Sequence, residues 1–167
     1  LSGGTTDLSS YPARKGFDYL ALLVNKPGDF ALTAVTFPKE RYVYFALKDP
    51  RVLSNTVLWM SNAGRHYHPW NGRHVSVLGI EDVTAYYHIG LAESARVNPL
   101  SKRGFATNVR LRKDRPFTVR YIIGMATIPN GFDIVKKIQP TKDGQVRLLA
   151  QSGKGAMANV DASFLYE

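Results

Sequence analysis

Tryptophan, histidine, arginine and carboxylate side chains are concentrated in residues 58–83, "LWMSNAGRHYHPWNGRHVSVLGIEDV". These residue types hold metals, bind sugars and transfer protons, so their concentration in one segment indicates a candidate site. The segment is interrupted by Gly64, Pro69, Gly72 and Gly79, which predict turns, and glycine lets the backbone approach a ligand closely. A metal site, a sugar pocket and an ordinary polar loop are the three competing interpretations.

Histidine spacing is the evidence for a metal site. His66 and His68 would share one face of a strand, and His74 or Glu81 would supply the third ligand that a zinc site needs. Two arginines beside these histidines would repel a dication, and the spacing matches no common zinc motif. We therefore predict no metal. The chain also has no P-loop or dinucleotide fingerprint, so we expect no cofactor.

Aromatic and amide side chains are the evidence for a sugar pocket. A sugar presents a face of C–H groups and a rim of hydroxyls, so its site needs flat rings and directed polar groups. Trp59, Trp70 and Tyr67 would supply rings, although core packing is the competing interpretation for Trp59. The residues that we expect to bind the substrate are Asn62, Arg65, Tyr67, Trp70, Asn71, Arg73 and His74.

Glu81 ends the strand-like run "SVLGIE", so we expect it to be partly buried. A buried carboxylate must be paired, or its pKa rises, which would prepare a general base. A structural salt bridge to an arginine is an equal alternative. Asp82 is expected to point to the opposite face, toward solvent.

Composition indicates one globular domain, residues 1–167, because 44% of the residues are hydrophobic and 21% are charged. No apolar run approaches the ~18 residues that span a membrane. Cysteine is absent, which excludes disulfides and cysteine catalysis but does not choose between cytosol and periplasm. The chain starts "LSGGTTDLSS" without methionine, as a fragment would.

The net charge of +9 suggests nucleic acid, an anionic membrane or acidic ligands as partners. The tightest basic group, "VRLRKDR" at 109–115, alternates like a strand and would place Arg110 and Arg112 on one face. No zinc-finger, RRM or helix-turn-helix pattern accompanies this charge. We therefore expect a solvated strand face and no nucleic-acid partner.

Alternation of apolar and polar residues predicts an antiparallel β-sandwich with few short helices. The predicted helices are residues 130–138 and a short turn near 92–97. The predicted strands are residues 17–25, 30–37, 41–47, 56–62, 74–81, 108–112, 117–127, 145–150 and 157–166.

The segments "SNAGRHYHPWNGRHVSVLGIEDV" and "NPLSKRGFATNVRLRKDRPFTVRYIIG" resemble the C-terminal half of galactose-mutarotase-like proteins, the aldose 1-epimerase superfamily. The similarity covers roughly residues 15–127, and "LGIE" fits the strand that ends in a hydrophobic-Glu pair. The resemblance implies all or part of a large β-supersandwich, in a chain that is the C-terminal portion of a longer protein. The tail after residue 128 would be an extension.

The resemblance also implies reversible opening of an aldose ring, without a metal. Glu81 would take the proton of the anomeric hydroxyl while a histidine protonates the ring oxygen. That histidine normally lies far before the glutamate, and only 80 residues precede Glu81, so we expect it upstream, with His66 and His68 as replacements within this chain. A carbohydrate-binding or structural domain without catalysis is the alternative.

Overall fold

The computed structural model describes residues 7–13 and 16–167. They form three small antiparallel sheets, each of three strands, with very little helix. The strands are β1 Tyr19–Val24, β2 Ala31–Phe37, β3 Tyr42–Lys48, β4 Asn55–Ser61, β5 Val77–Val83, β6 Tyr121–Thr127, β7 Val135–Pro140, β8 Val146–Ala150 and β9 Gly155–Ala158.

The chain divides into two compact units. The first contains Leu1–Asn25 and Ser54–Arg110, and the second contains Lys26–Leu53 and Leu111–Glu167. Within the described part of both units, no helix is long and apolar enough to cross a membrane.

The first unit contains the sheet with strand order β1-β4-β5. Its central strand β4 carries the buried residues Val57 and Met60. The short helix α1, Leu91–Ala95, and the 3-10 helix Ser101–Arg103 follow the sheet. The helix α1 confirms the predicted turn near 92–97. The buried side-chain oxygen of Asn98 accepts hydrogen bonds from the backbone N–H groups of Leu100 and Ser101. These bonds fix the loop between the two helices.

The second unit contains the sheets with orders β2-β3-β6 and β7-β8-β9. Its hydrophobic core takes residues from both sheets: every second residue from Val43 to Leu47 of β3 and from Val146 to Ala150 of β8 belongs to it. The ring of Phe45 covers Gly124 on the neighbouring strand so closely that a Cβ atom at position 124 would overlap the ring. The 3-10 helix Ala162–Tyr166 closes the unit, and the Asp161 carboxylate accepts the Ser163 N–H at its start.

The predicted helix at 130–138 is wrong. The segment forms β7, which pairs with β8 and contains a bulge between Val135 and Lys137. A bulge inserts one extra residue into the strand, so the more buried positions Val135 and Ile138 are three residues apart rather than two. That spacing is also typical of a helix, which is why the sequence pattern predicted one.

The predicted strand at 108–112 is also wrong. Residues 108–119 are exposed, and their one ladder contact is an isolated bridge between Arg112 and Arg115. The Arg112 side chain pairs with Asp114 across this turn, at 3.0 Å. The last predicted strand, 157–166, is divided between β9 and the final 3-10 helix. The other predicted strands are confirmed, with ends shifted by a few residues.

Candidate functional site

The connection between β4 and β5, residues 62–76, contains most of the residues that the sequence predicted as a site. Backbone hydrogen bonds fold it back on itself: Ala63 N–H donates to the His74 carbonyl at 2.9 Å, and Gly72 N–H donates to the Arg65 carbonyl at 2.7 Å. At its tip, the N–H groups of Trp70 and Asn71 both donate to the Tyr67 carbonyl, at 3.0 Å. We call this connection the site loop.

The carboxylate of Asp18, just before β1, anchors the start of the site loop. It accepts the Ser61 hydroxyl at 2.8 Å and the backbone N–H groups of Asn62 and Gly64 at 2.9 and 2.8 Å. The Nε atom of Arg65 lies 3.2 Å from the same carboxylate. Burial raises the pKa of Asp18, but the hydrogen bonds and the Arg65 charge outweigh it and hold this pKa below its usual value.

Gly64 is required at this anchor because there is no space for a side chain. A Cβ atom there would overlap the backbone nitrogen of Asp18 and lie 2.8 Å from the carbonyl carbon of Phe17. The close approach allows the N–H of Gly64 to reach the Asp18 carboxylate.

Four side chains pack together above the sheet, and we call them the Trp59 cluster: Trp59, Arg65, Trp70 and His74. The Arg65 guanidinium lies 4.3 Å from the Trp59 ring centre and 5.0 Å from that of Trp70. The His74 ring stacks on Trp59 at 5.3 Å, and the two indoles meet edge to face at 6.2 Å. The cluster therefore unites three predicted site residues, Arg65, Trp70 and His74.

The residue beneath the Trp59 side chain is a glycine for a steric reason. Gly79 is the partner of Trp59 on β5, and a Cβ atom at Gly79 would lie 3.3 Å from two atoms of the Trp59 side chain. Contacts this short require the indole to shift, so Gly79 allows Trp59 to lean over β5.

The polar side chain of Asn62 is buried and hydrogen-bonded within the site loop. It is 7% exposed, and its Oδ1 accepts the N–H of Ser76 at 3.2 Å. This bond joins the two ends of the site loop. Asn62 is thus engaged with the loop itself, and its role as a substrate-binding residue stays a prediction.

The remaining predicted residues of the site loop form an exposed rim. Their side chains make no hydrogen bond, ion pair or ring contact with the described residues, and Tyr67 is 64% exposed. No group of three metal-ligating side chains occurs among the described residues. The rim consists of His66, Tyr67, His68, Asn71 and Arg73.

The prediction that Glu81 is partly buried is wrong, because its side chain is exposed and has no hydrogen bond or ion pair among the described residues. The physical reason is that β5 is an edge strand, with β4 as its one neighbour in the described sheet. Asp82 was predicted to face solvent, but it is half-buried and accepts the Thr56 hydroxyl at 2.6 Å.

Glu81 shares a face of the sheet with the Trp59 cluster. Glu81 pairs with Val57, and Gly79 pairs with Trp59. Residues two apart on a strand point to the same side, about 7 Å apart, so Glu81 and Trp59 lie in successive rows of one face. The histidine of the cluster, His74, therefore lies on the side of the sheet from which Glu81 projects.

Asp18 and Ser61 belong to the candidate site by their contacts, and sequence reasoning missed both. The Ser61 hydroxyl lies 2.8 Å from the Asp18 carboxylate and 2.7 Å from Nδ1 of His74. The available signal was a charged residue, Asp18, at the second position of the apolar run "FDYLALLVN". Pairing of β1 with β4 brings this residue to Ser61, 43 positions along the chain.

A depression of about 310 Å³ in the first unit lies away from the cluster. Its lining includes Tyr87, His88, Leu91 and Val109, and it shares no residue with the site loop. Its wall is mostly apolar and has no paired acid and base. We therefore place the candidate site at the Trp59 cluster and the rim. No family model, curated protein or solved structure matches the chain.

Proposed function

We propose that this protein binds a carbohydrate and interconverts the anomers of an aldose, as a member of the galactose-mutarotase-like superfamily. The small antiparallel sheets would then be parts of a supersandwich. The single observation that supports this function is the shared face: Glu81 lies one row from Trp59, on which His74 stacks. An acid-base reaction at a sugar needs a carboxylate and an imidazole on one side of the protein.

The rim would supply the contacts that hold the sugar. Tyr67 offers an exposed ring for the C–H face of a pyranose. Asn71 and Arg73 offer amide and guanidinium groups, which make directed hydrogen bonds to hydroxyls. The histidines His66 and His68 add ring N–H groups at the same exposed loop.

The half-buried part of the site loop would have a different role. Arg65 and Trp70, which the sequence suggested as sugar contacts, are engaged with each other and with Trp59. We assign them to holding the loop in one conformation. A rigid loop lowers the entropy cost of ordering the rim on binding.

In the proposed reaction Glu81 removes the proton from the anomeric hydroxyl. The O–H electron pair forms the carbonyl, the bond from C1 to the ring oxygen breaks, and its electron pair stays on that oxygen, which takes a proton from a histidine. Rotation about the C1–C2 bond and reversal of the steps give the other anomer. Every proton is returned, so the reaction needs no oxidant or reductant.

The exposure of Glu81 favours one alternative, carbohydrate binding without catalysis. A carboxylate in water lacks the desolvated surroundings that tune a general base. In that case the rim would still bind sugar, and Glu81 would be dispensable.

Exchange between α and β anomers, followed by NMR for a panel of aldoses, tests the proposal. The wild-type protein should accelerate exchange in proportion to its concentration. Glu81→Gln should reduce the rate by about 100-fold or more, the usual size of a general-base contribution, while sugar binding persists. Lys102→Gln, an exposed change outside the site loop, is the control. If the protein accelerates exchange for no aldose, the catalytic claim is wrong and carbohydrate binding without catalysis is the remaining proposal.

A further inference from the structure

We propose that hydrogen bonds running from Asp18 through Ser61 fix the proton of neutral His74 on Nδ1, which makes Nε2 the atom that exchanges a proton with the sugar ring oxygen. This inference rests on the proposed function, because it assigns the acid of that reaction to His74 rather than to His66 or His68. Asp18 and Ser61 act as positioning residues.

The direction of each hydrogen bond follows from counting protons. A serine hydroxyl has one proton to donate. The pKa of Asp18 is lowered, so its carboxylate is ionised at neutral pH and can only accept. The Ser61 hydroxyl, 2.8 Å away, must therefore point its proton at Asp18. The carbonyl oxygen of His74 also lies near this hydroxyl but is farther away, at 3.5 Å.

Ser61 then presents a lone pair to His74. The distance from its oxygen to Nδ1 is 2.7 Å, which requires a hydrogen between the two atoms. That hydrogen can come only from Nδ1, because the Ser61 proton is already directed at Asp18. Neutral imidazole has one N–H, so Nε2 carries the free lone pair.

The surroundings of His74 keep the ring in this orientation. It is stacked on Trp59, with 22° between the ring planes, and meets Trp70 edge to face at 5.0 Å. Nε2 makes no hydrogen bond with the described residues. The ring is half-buried, so it is held by the protein yet open to solvent on part of its surface.

The same tautomer suits both directions of the reaction. Imidazolium His74 donates its Nε2 proton to the ring oxygen as the C1–O bond breaks. The neutral ring that remains is the Nδ1–H form, which Ser61 already accepts, so no hydrogen bond has to rearrange. When the sugar closes, the ring-oxygen proton returns to Nε2. His66 and His68 have no comparable partner among the described residues.

Nitrogen-15 NMR of the whole chain, labelled at histidine, reads the tautomer without any sugar. At about pH 8 most histidines are neutral. The signals that disappear in His74→Gln are those of His74. We expect a protonated Nδ1 and an unprotonated Nε2 in the wild type. His66→Gln, an exposed change in the same loop, should leave the His74 signals in place.

Asp18→Asn should reverse the tautomer. The N–H groups of Asn62 and Gly64 both point at Oδ1, whereas Arg65 makes a single contact at Oδ2. The amide oxygen of the new asparagine should therefore take the Oδ1 position, where it accepts two hydrogen bonds. Its NH₂ group then faces Ser61. Ser61 then accepts from the amide and donates to Nδ1, which leaves the proton of His74 on Nε2. An aspartate-to-asparagine change in a serine protease triad acts through the same tautomer error.

Ser61→Ala provides a second variant that removes the hydroxyl and little volume. It should abolish the preference for Nδ1–H. In anomer exchange, both variants should lower kcat by about 100-fold with little change in KM. A wild-type Nε2–H tautomer, or an Nδ1–H signal unchanged in both variants, would overturn the inference. If His74 has the Nδ1–H tautomer but the protein accelerates anomer exchange for no aldose, the proposed catalytic function is overturned instead.

Discussion

The guanidinium carbon of Arg65 lies 4.3 Å from the centre of the Trp59 ring. A cation over an indole face is attracted by the ring quadrupole. The same arginine reaches Asp18 through Nε at 3.2 Å. This arginine therefore ties the start of the site loop both to the aromatic cluster and to the residue that precedes β1.

Replacing Arg65 by alanine should destabilise the protein by about 1–2 kcal/mol, through the loss of cation–π packing and of the partly exposed ion pair. Urea unfolding measures this change, and near-ultraviolet circular dichroism should show looser tryptophan packing. Arg73→Ala, at the exposed rim of the same loop, should stay within about 0.5 kcal/mol. Equal effects of the two changes would contradict the structural role of Arg65.

Gly64→Ala should be destabilising by about 1–3 kcal/mol, the usual cost of overpacking. The new methyl would overlap the backbone of Asp18, and backbone cannot move aside as a flexible side chain can. The matched control is Gly28→Ala, where a Cβ atom meets nothing within 4 Å. A Gly64→Ala protein as stable as the control would show that the loop does not lie against Asp18.

Stability should fall in acid partly because of Asp18, whose pKa is lowered in the folded state. A lowered folded pKa adds stability that is complete above the unfolded value, about 3.9, and is lost as the pH falls through the folded value. Asp18→Asn should therefore be less stable than the wild type near neutral pH. Its free energy of unfolding should also decline less between about pH 5 and pH 2, the range within about one to two units of the unfolded pKa.

Asp143→Asn is the control for this pH series, because Asp143 is exposed and has no hydrogen bond or ion pair among the described residues. Thermal unfolding at several pH values gives both curves. A decline in Asp18→Asn as steep as in the wild type would mean that Asp18 is not held ionised by the site loop.

The sequence predicted most strands because alternation of apolar side chains survives in a half-buried sheet. It failed in two places, for two different reasons. The bulge in β7 spaced Val135 and Ile138 like a helix, whereas residues 109–112 alternate but join none of the described sheets. Both failures depend on pairing with other strands, which a local pattern does not contain.

The sequence also singled out the segment that forms the site loop, but not the contacts within it. Arg65 and Trp70 have the chemistry of sugar contacts, yet they are engaged with each other. Composition does not tell which polar groups satisfy one another and which face solvent. Asp18 and Ser61 meet only through the register of β1 with β4, so their spacing along the chain carried no signal.

The most direct test of the central claim follows the two indole N–H signals in proton–nitrogen NMR during titration with an aldose. Trp59 and Trp70 are the two tryptophans of the chain, and Trp70→Phe assigns them. Binding at the rim predicts a saturable shift of at least one indole signal with an aldose and none with glucitol, an open-chain polyol that cannot form the ring. Indole signals unmoved by every aldose would contradict a sugar site at the Trp59 cluster.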